Sequence, residues 1–205
     1  MTNKLLFFVL LALCFSGCDM LETHPYDVHI TGERELTNKN IQLIENKMQG
    51  KKTIRFAMIS DTQRWYNSTE DVVKALNARG DIDFVIHGGD QSDFGVTKEF
   101  IWMRDIFNKL QMPYVCLLGN HDCLGTGEDA YRAIYGDPNF AFTAGNVRFI
   151  CLNTNAMEYD YSEPVPDFNF IENELNNLSP EIEKTVFAMH VKPFEFVFNN
   201  NVTKI

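Results

Sequence analysis

Leu117-Leu118-Gly119-Asn120-His121-Asp122 is an apolar run that ends abruptly in a turn of ligand-grade side chains. With Pro113-Tyr-Val-Cys before it, the run has the length and composition of a buried parallel strand. Gly119 frees the backbone to turn sharply, which gathers Asn120, His121 and Asp122 at the strand's carboxyl end. Ligands of open α/β sheets bind at that end. Gly-Asn-His-Asp is also ordinary turn chemistry, so its meaning depends on the rest of the chain.

Two earlier runs end in the same way. Residues 53–59 lead into Ser60-Asp61-Thr62-Gln63, and residues 83–86 lead into His87-Gly88-Gly89-Asp90-Gln91-Ser92-Asp93. Asp61, Asp90 and Asn120 stand 29 and 30 residues apart, about one βα unit each. A fourth strand, 184–189, delivers His190. If these strands lie side by side, their terminal residues converge on one rim of one sheet.

The chain has 205 residues, 45% of them hydrophobic, enough for one domain with a substantial core. Its formal charge of −10 argues against non-specific nucleic-acid binding, and no specific nucleic-acid partner is expected. An acidic pocket holding cations remains compatible with that charge. The five cysteines form neither a Cys-x-x-Cys pair nor a disulfide scaffold.

Residues 1–17 read as a targeting segment. Lys4 precedes an apolar stretch from Leu5 to Phe15, too short to span a bilayer and suited to a signal peptide. It ends in Phe15-Ser16-Gly17-Cys18, which resembles a bacterial lipobox with Phe15 where leucine is usual. The expectation is a lipid on Cys18, anchoring the protein outside the cytoplasm in the bacterial cell envelope. The alternative is an ordinary cleaved signal peptide that happens to precede a cysteine. Residues 18–36 are polar and read as a tether, leaving 37–205 as the domain.

Within it, helices are expected from Thr37 to a stop at Gly50, from Thr69 to Arg79 with Ser68 as N-cap, and from Thr97 to Leu110. Further helices are expected near Glu128–Tyr135 and from Asp167 to Leu178. Residues 140–142 and 147–152 read as a strand pair turning at Ala144-Gly145-Asn146. The alternation implies an α/β fold with a largely parallel sheet flanked by helices.

Asp61, Asp90, Asn120 and His190 make a mixed oxygen and nitrogen donor set, suited to Mn, Fe or Zn more than to calcium. Together with Gly89-Asp90-Gln-Ser-Asp93 and Gly119-Asn120-His121-Asp122, they resemble the calcineurin-like metallophosphoesterase superfamily over roughly residues 54–191. That resemblance implies an α/β/β/α sandwich whose second sheet begins at 140–152. It implies a hydrolase of phosphoric ester bonds with two divalent metal ions and a phosphoester substrate. It assigns Asp61 to the first ion, Asp90 to a bridge, Asn120 and His190 to the second ion, and His121 to protonation of the leaving group. Asp122 would orient His121 or hold its proton.

Two departures accompany the resemblance. Gln63 stands where the superfamily usually has histidine, so one of the two metal sites is expected to be weak. No Gly-His-x-His follows His190, so the carboxy-terminal part of the fold is expected to be missing, or the site degenerate. A non-catalytic binding lipoprotein with the same fold is therefore the competing function. His87, inside a strand, reads as a packed core residue, and Cys116 and Cys151 as buried thiols. Trp65 and Tyr66 either line a substrate pocket or pack a surface loop.

Overall fold

The computed structural model describes residues 24–155 and 166–191. The signal segment, Cys18, the start of the tether and the stretch after residue 191 lie outside the described residues. Among those described, no helix is long and apolar enough to cross a membrane.

Three parallel strands form the first sheet in the order β1-β2-β3: β1 (Phe56–Ile59), β2 (Phe84–His87) and β3 (Tyr114–Cys116). The second sheet runs β4-β5-β6: β4 (Phe140–Ala144), β5 (Val147–Leu152) and β6 (Lys184–Met189). β4 and β5 are an antiparallel hairpin turning at Gly145-Asn146, a pair suited to a tight two-residue turn. β6 returns parallel to β5. The strand delivering His190 therefore does not lie beside β1, β2 and β3 but belongs to the second sheet. The intervening helix makes β5 and β6 a βαβ unit, which brings the chain back to its own sheet.

Among the described residues, five helices accompany the strands. They are α1 (Leu36–Met48), α2 (Tyr66–Arg79), α3 (Thr97–Phe107), α4 (Gly127–Ile134) and α5 (Phe168–Asn176). α2 begins earlier than its sequence suggested, with Trp65 at the N-cap and Ser68 already inside the helix. The bond from Trp65 N–H to the Thr62 carbonyl starts the turn before Ser68 is reached. α5 does begin with an Asp167 side-chain cap, on Phe170 N–H.

Strand alternation builds the layers. Val85, Tyr114 and Cys116 face a core with Val73, Phe100, Met103, Phe107 and Tyr131 from the helices. Phe84, Ile86, Val115 and Leu117 face the other way, toward Phe140, Phe142, Phe149 and Cys151 of the second sheet. Ile150 and Leu152 then turn outward onto Ile171 of α5. The order is helix, sheet, sheet, helix. Edge-on ring contacts join the two sheets: Phe84 of β2 meets both Phe142 and Phe149, which stack on each other within the second sheet with centroids 4.9 Å apart and planes 2° from parallel. α1 packs beside β3 and β4.

From His24 onward, the polar stretch before α1 lies against the domain. Ile30 is buried, and Arg104 of α3 donates to the carbonyls of Thr31 and Glu33. Thr97 and Thr126 hold the carbonyls of Asp27 and Tyr26 through their hydroxyls.

Candidate metal centre

The carboxyl ends of β1, β2, β3 and β6 meet at one place. One ligand atom each from Asp61, Asp90 and His190 lies within 4.8 Å of the others. Among the described residues this is the one such cluster of three acidic, histidine or cysteine groups. Asp61 and Asp90 both adopt left-handed backbone, with φ of 56° and 62°. Non-glycine residues rarely sit there, and such strain gathers where a side chain must be aimed.

Two glycines make the approach possible. A Cβ on Gly119 would lie 2.1 Å from the Asp90 nitrogen and carboxylate, so only glycine lets the β3 turn pass the β2 turn. Gly89 has φ of 104°, and a Cβ there would press on His190 Nδ1 at 2.7 Å.

His190 joins the two sheets at the site. Its Nδ1 lies 2.8 Å from the Gly88 carbonyl, an acceptor, so Nδ1 carries the hydrogen and donates. In the neutral ring Nε2 is then a lone pair. It faces two more oxygen acceptors, Asn120 Oδ1 at 3.0 Å and Asp90 Oδ1 at 3.4 Å. With that ring neutral, three electron-pair donors converge, an arrangement that either a metal cation or a proton on Nε2 would satisfy. A backbone carbonyl fixing the far nitrogen is also how metal-bound histidines are commonly held.

Asp90 is buried, and its two oxygens face opposite neighbours. Oδ1 accepts from His121 N–H and lies near His190, while Oδ2 lies 3.5 Å from Gln63 Nε2. Burial raises its pKa, and the cationic forms of His190 and His121 oppose that rise. Gln63 Oε1 is buried without a hydrogen-bond partner. An orphaned buried oxygen, on an amide group whose nitrogen lies near the Asp90 carboxylate, has the chemistry of a metal ligand. The donors present fit divalent cations.

Asp122 occupies a different position from the one its sequence context suggested. Fully buried, it accepts four backbone N–H bonds of 2.7–2.9 Å, from Asp90, Gln91, Ser92 and Gly119. It therefore clamps the β2 turn to the β3 turn. Burial pushes its pKa up to about 7, and the amide donors restrain the rise. The ring of His121 is held instead by Asp93. Nδ1 donates to the Asp93 carbonyl at 3.0 Å, and the Asp93 carboxylate lies 3.7 Å away. Those contacts and Asp90 raise the His121 pKa, against the opposing effects of burial and Arg64.

His87 is a packed residue, as its place in a strand suggested. Its Nδ1 accepts from Gly89 N–H, so Nε2–H donates to the Thr62 hydroxyl at 2.9 Å. Burial and the nearby His190 lower its pKa to about 3. The sequence reading missed Arg64, which reaches the buried Asp93 carboxylate at 2.8 Å. It also missed Glu99, whose carboxylate gathers the N–H groups of Asp93, Phe94 and Val96. A glutamate in the first turn of a helix was the available signal for the second.

A family model, calcineurin-like phosphoesterase, matches residues 54–204. The chain belongs to the calcineurin-like phosphoesterase family. It is 27% identical over 124 residues to a 3′,5′-cyclic-nucleotide phosphodiesterase from Nostoc sp. (strain PCC 7120), covering 60% of this chain and 46% of that protein. Its fold is similar to that of a purple acid phosphatase from yellow lupin (Lupinus luteus) seeds. There the TM-score is 0.51 and the identity 17%, over 68% of this chain and 30% of the phosphatase. The chain thus spans less than half the length of either protein. The family implies divalent metals, and the Asp61, Asp90 and His190 cluster is a possible site for them.

Proposed function

We propose that this calcineurin-like phosphoesterase chain hydrolyses phosphoric ester bonds at a dinuclear metal site formed by Asp61, Gln63, Asp90, Asn120 and His190. The observation that carries the reading is the convergence of His190 Nε2, Asn120 Oδ1 and Asp90 Oδ1 beside Asp61. Asp90 suits a bridge because its two oxygens face the His190 and Gln63 groups separately. Divalent ions held there (Mn, Fe or Zn) would neutralise phosphate charge and make a water acidic enough to attack near pH 7. His121 supplies the proton for the leaving alkoxide at Nε2, since Nδ1–H is committed to Asp93. Asp122 acts by holding the turns that place Asp90 and His121.

The two ion sites differ in strength. Asp90, Asn120 and His190 offer a carboxylate, an amide oxygen and an imidazole, whereas Asp61 and Gln63 pair a carboxylate with a weak amide ligand. The first set should fill first. Calorimetric titration of the purified chain with Mn²⁺, alongside hydrolysis of para-nitrophenyl phosphate and its bis-ester, tests both statements. Turnover that His121→Ala slows roughly 10²- to 10⁴-fold, with metal binding retained, is expected. Gln63 favours one competing reading, a binding protein without turnover. Metal uptake with no hydrolysis at any Mn²⁺ concentration would establish it.

Cys18 is proposed to carry a lipid that holds the domain at a membrane of the bacterial cell envelope. The support is the lipobox-like Ser16-Gly17-Cys18 after an apolar stretch. Radiolabelled palmitate should enter the wild type and be absent from Cys18→Ala.

A further inference from the structure

Beside the metal centre, the chain exposes apolar side chains that the hydrolytic reading leaves without a task. Trp65 is 65% exposed, Phe94 57% and Leu124 45%. Each directly follows a residue of the rim or of the turn beneath it: Arg64, Asp93 and Cys123. Large exposed apolar groups that adjoin site residues in the chain are candidates for a ligand surface.

Trp65 is the best placed. Its backbone is pinned on both sides, with N–H on the Thr62 carbonyl and its own carbonyl accepting from the Thr69 amide and hydroxyl. Among the described residues no ring contact engages its indole, whereas the neighbouring Tyr66 is packed edge-on against Trp102 at 5.7 Å. The ring is thus presented on a fixed base. One residue, Arg64, separates it from Gln63, so their Cα atoms are at most about 7 Å apart. A cavity of about 290 Å³, lined by residues 64–68, opens there. That is room for one ring system. Arg64 lines the same cavity and is tied through Asp93 to the ring of His121, the group that meets the leaving oxygen.

We infer that Trp65 is a specificity-determining residue that stacks on the leaving group, so that the preferred substrates are phosphoesters whose alcohol carries a planar aromatic ring, nucleotides being the biological case. This rests on the phosphoester reading of the site. Stacking of a ring on an exposed indole is sequence-tolerant and selects for planarity. An indole selects the leaving group without changing the phosphate chemistry, so its loss should raise KM and spare metal binding.

The chain's two tryptophans make this directly readable. Trp102→Phe leaves Trp65 as the sole indole emitter. With Mn²⁺ present, adenosine 5′-monophosphate should quench that emission and bind roughly 10-fold more tightly than ribose 5-phosphate or inorganic phosphate. Trp65→Ala in the otherwise native chain should erase that preference, measured by calorimetry, while leaving the affinity for inorganic phosphate unchanged. Trp65→Phe should restore part of it. Phosphate binding with no gain from the adenine ring would overturn the role of Trp65 and leave the site reading intact. If none of the three probes binds the Mn²⁺-loaded chain, the phosphoester reading itself fails.

Discussion

The two sheets reach the same centre by different means. The first contributes Asp61, Gln63, Asp90, Asn120 and His121 from three consecutive strand ends, and its turns are fastened to one another. Asp122 holds four amides across them, and His87 bonds Gly89 and Thr62 at once. The second sheet contributes one imidazole, seated by Gly88 and Asn120. The first sheet therefore supplies a rigid frame, and the second closes it with a ligand. Removing parts of the frame should cost folding, and removing the closing ligand should cost cation binding.

Asp90 is where both roles meet, so it should show the largest effect. Asp90→Asn keeps the side chain's shape and loses the charge that faces both ligand groups. Metal content, read by elemental analysis after gel filtration, should fall for both ions, and any phosphoesterase activity by at least roughly 10³-fold. Loss of only one ion would mean that Asp90 does not lie between them.

Asp122→Asn and His190→Ala separate frame from closure. An asparagine at 122 offers an NH₂ where two backbone N–H groups point, leaving buried donors unpaired. Unfolding in urea should show a loss of about 3 kcal/mol. His190→Ala breaks two partly buried contacts and should cost about 1 kcal/mol in metal-free protein, while the tighter Mn²⁺ site disappears from the calorimetric trace. Equal destabilisation by the two substitutions would erase the distinction between the sheets.

Legibility followed the range of the interaction. The strands, their order along the chain and the bounds of β6 could be read from apolar runs, which mark the fully buried β2 and the half-exposed β6 alike. The ligand-grade residues were equally visible, since each stands where a strand stops. The sheet membership of β6 was not, because an apolar run looks alike in either layer. The true partners of Asp122 were hidden for the same reason. They lie about thirty residues upstream, whereas the adjacent His121 invited a local pairing. The Trp65 N-cap was missed because Ser68 carries a stronger capping signal than the backbone turn at Thr62.

The smallest expected change is that of the wild type with pH, where two buried groups of the frame act in opposite directions. His87 has its pKa lowered from 6.5 to about 3, so the unfolded chain takes up that proton first. Its contribution is present above pH 6.5 and declines by about 1.4 kcal/mol per unit as the pH falls toward 3. Asp122 has its pKa raised from 3.8 to about 7, so the folded chain keeps a proton that the unfolded chain releases. Its contribution is complete below pH 3.8 and declines as the pH rises through 7. Asp90, also raised by burial, adds to the Asp122 side. Between pH 4.5 and 6.5 the slopes oppose, and metal-free wild type should show little change in urea midpoint. His87→Gln removes one slope, so its stability should fall as the pH rises across that window. Asp122→Asn should behave in the reverse sense, losing stability as the pH falls. Among the described residues the second sheet has no such buried pair, so a flat profile in His87→Gln would locate the pH response outside the turns that Asp122 and His87 hold together.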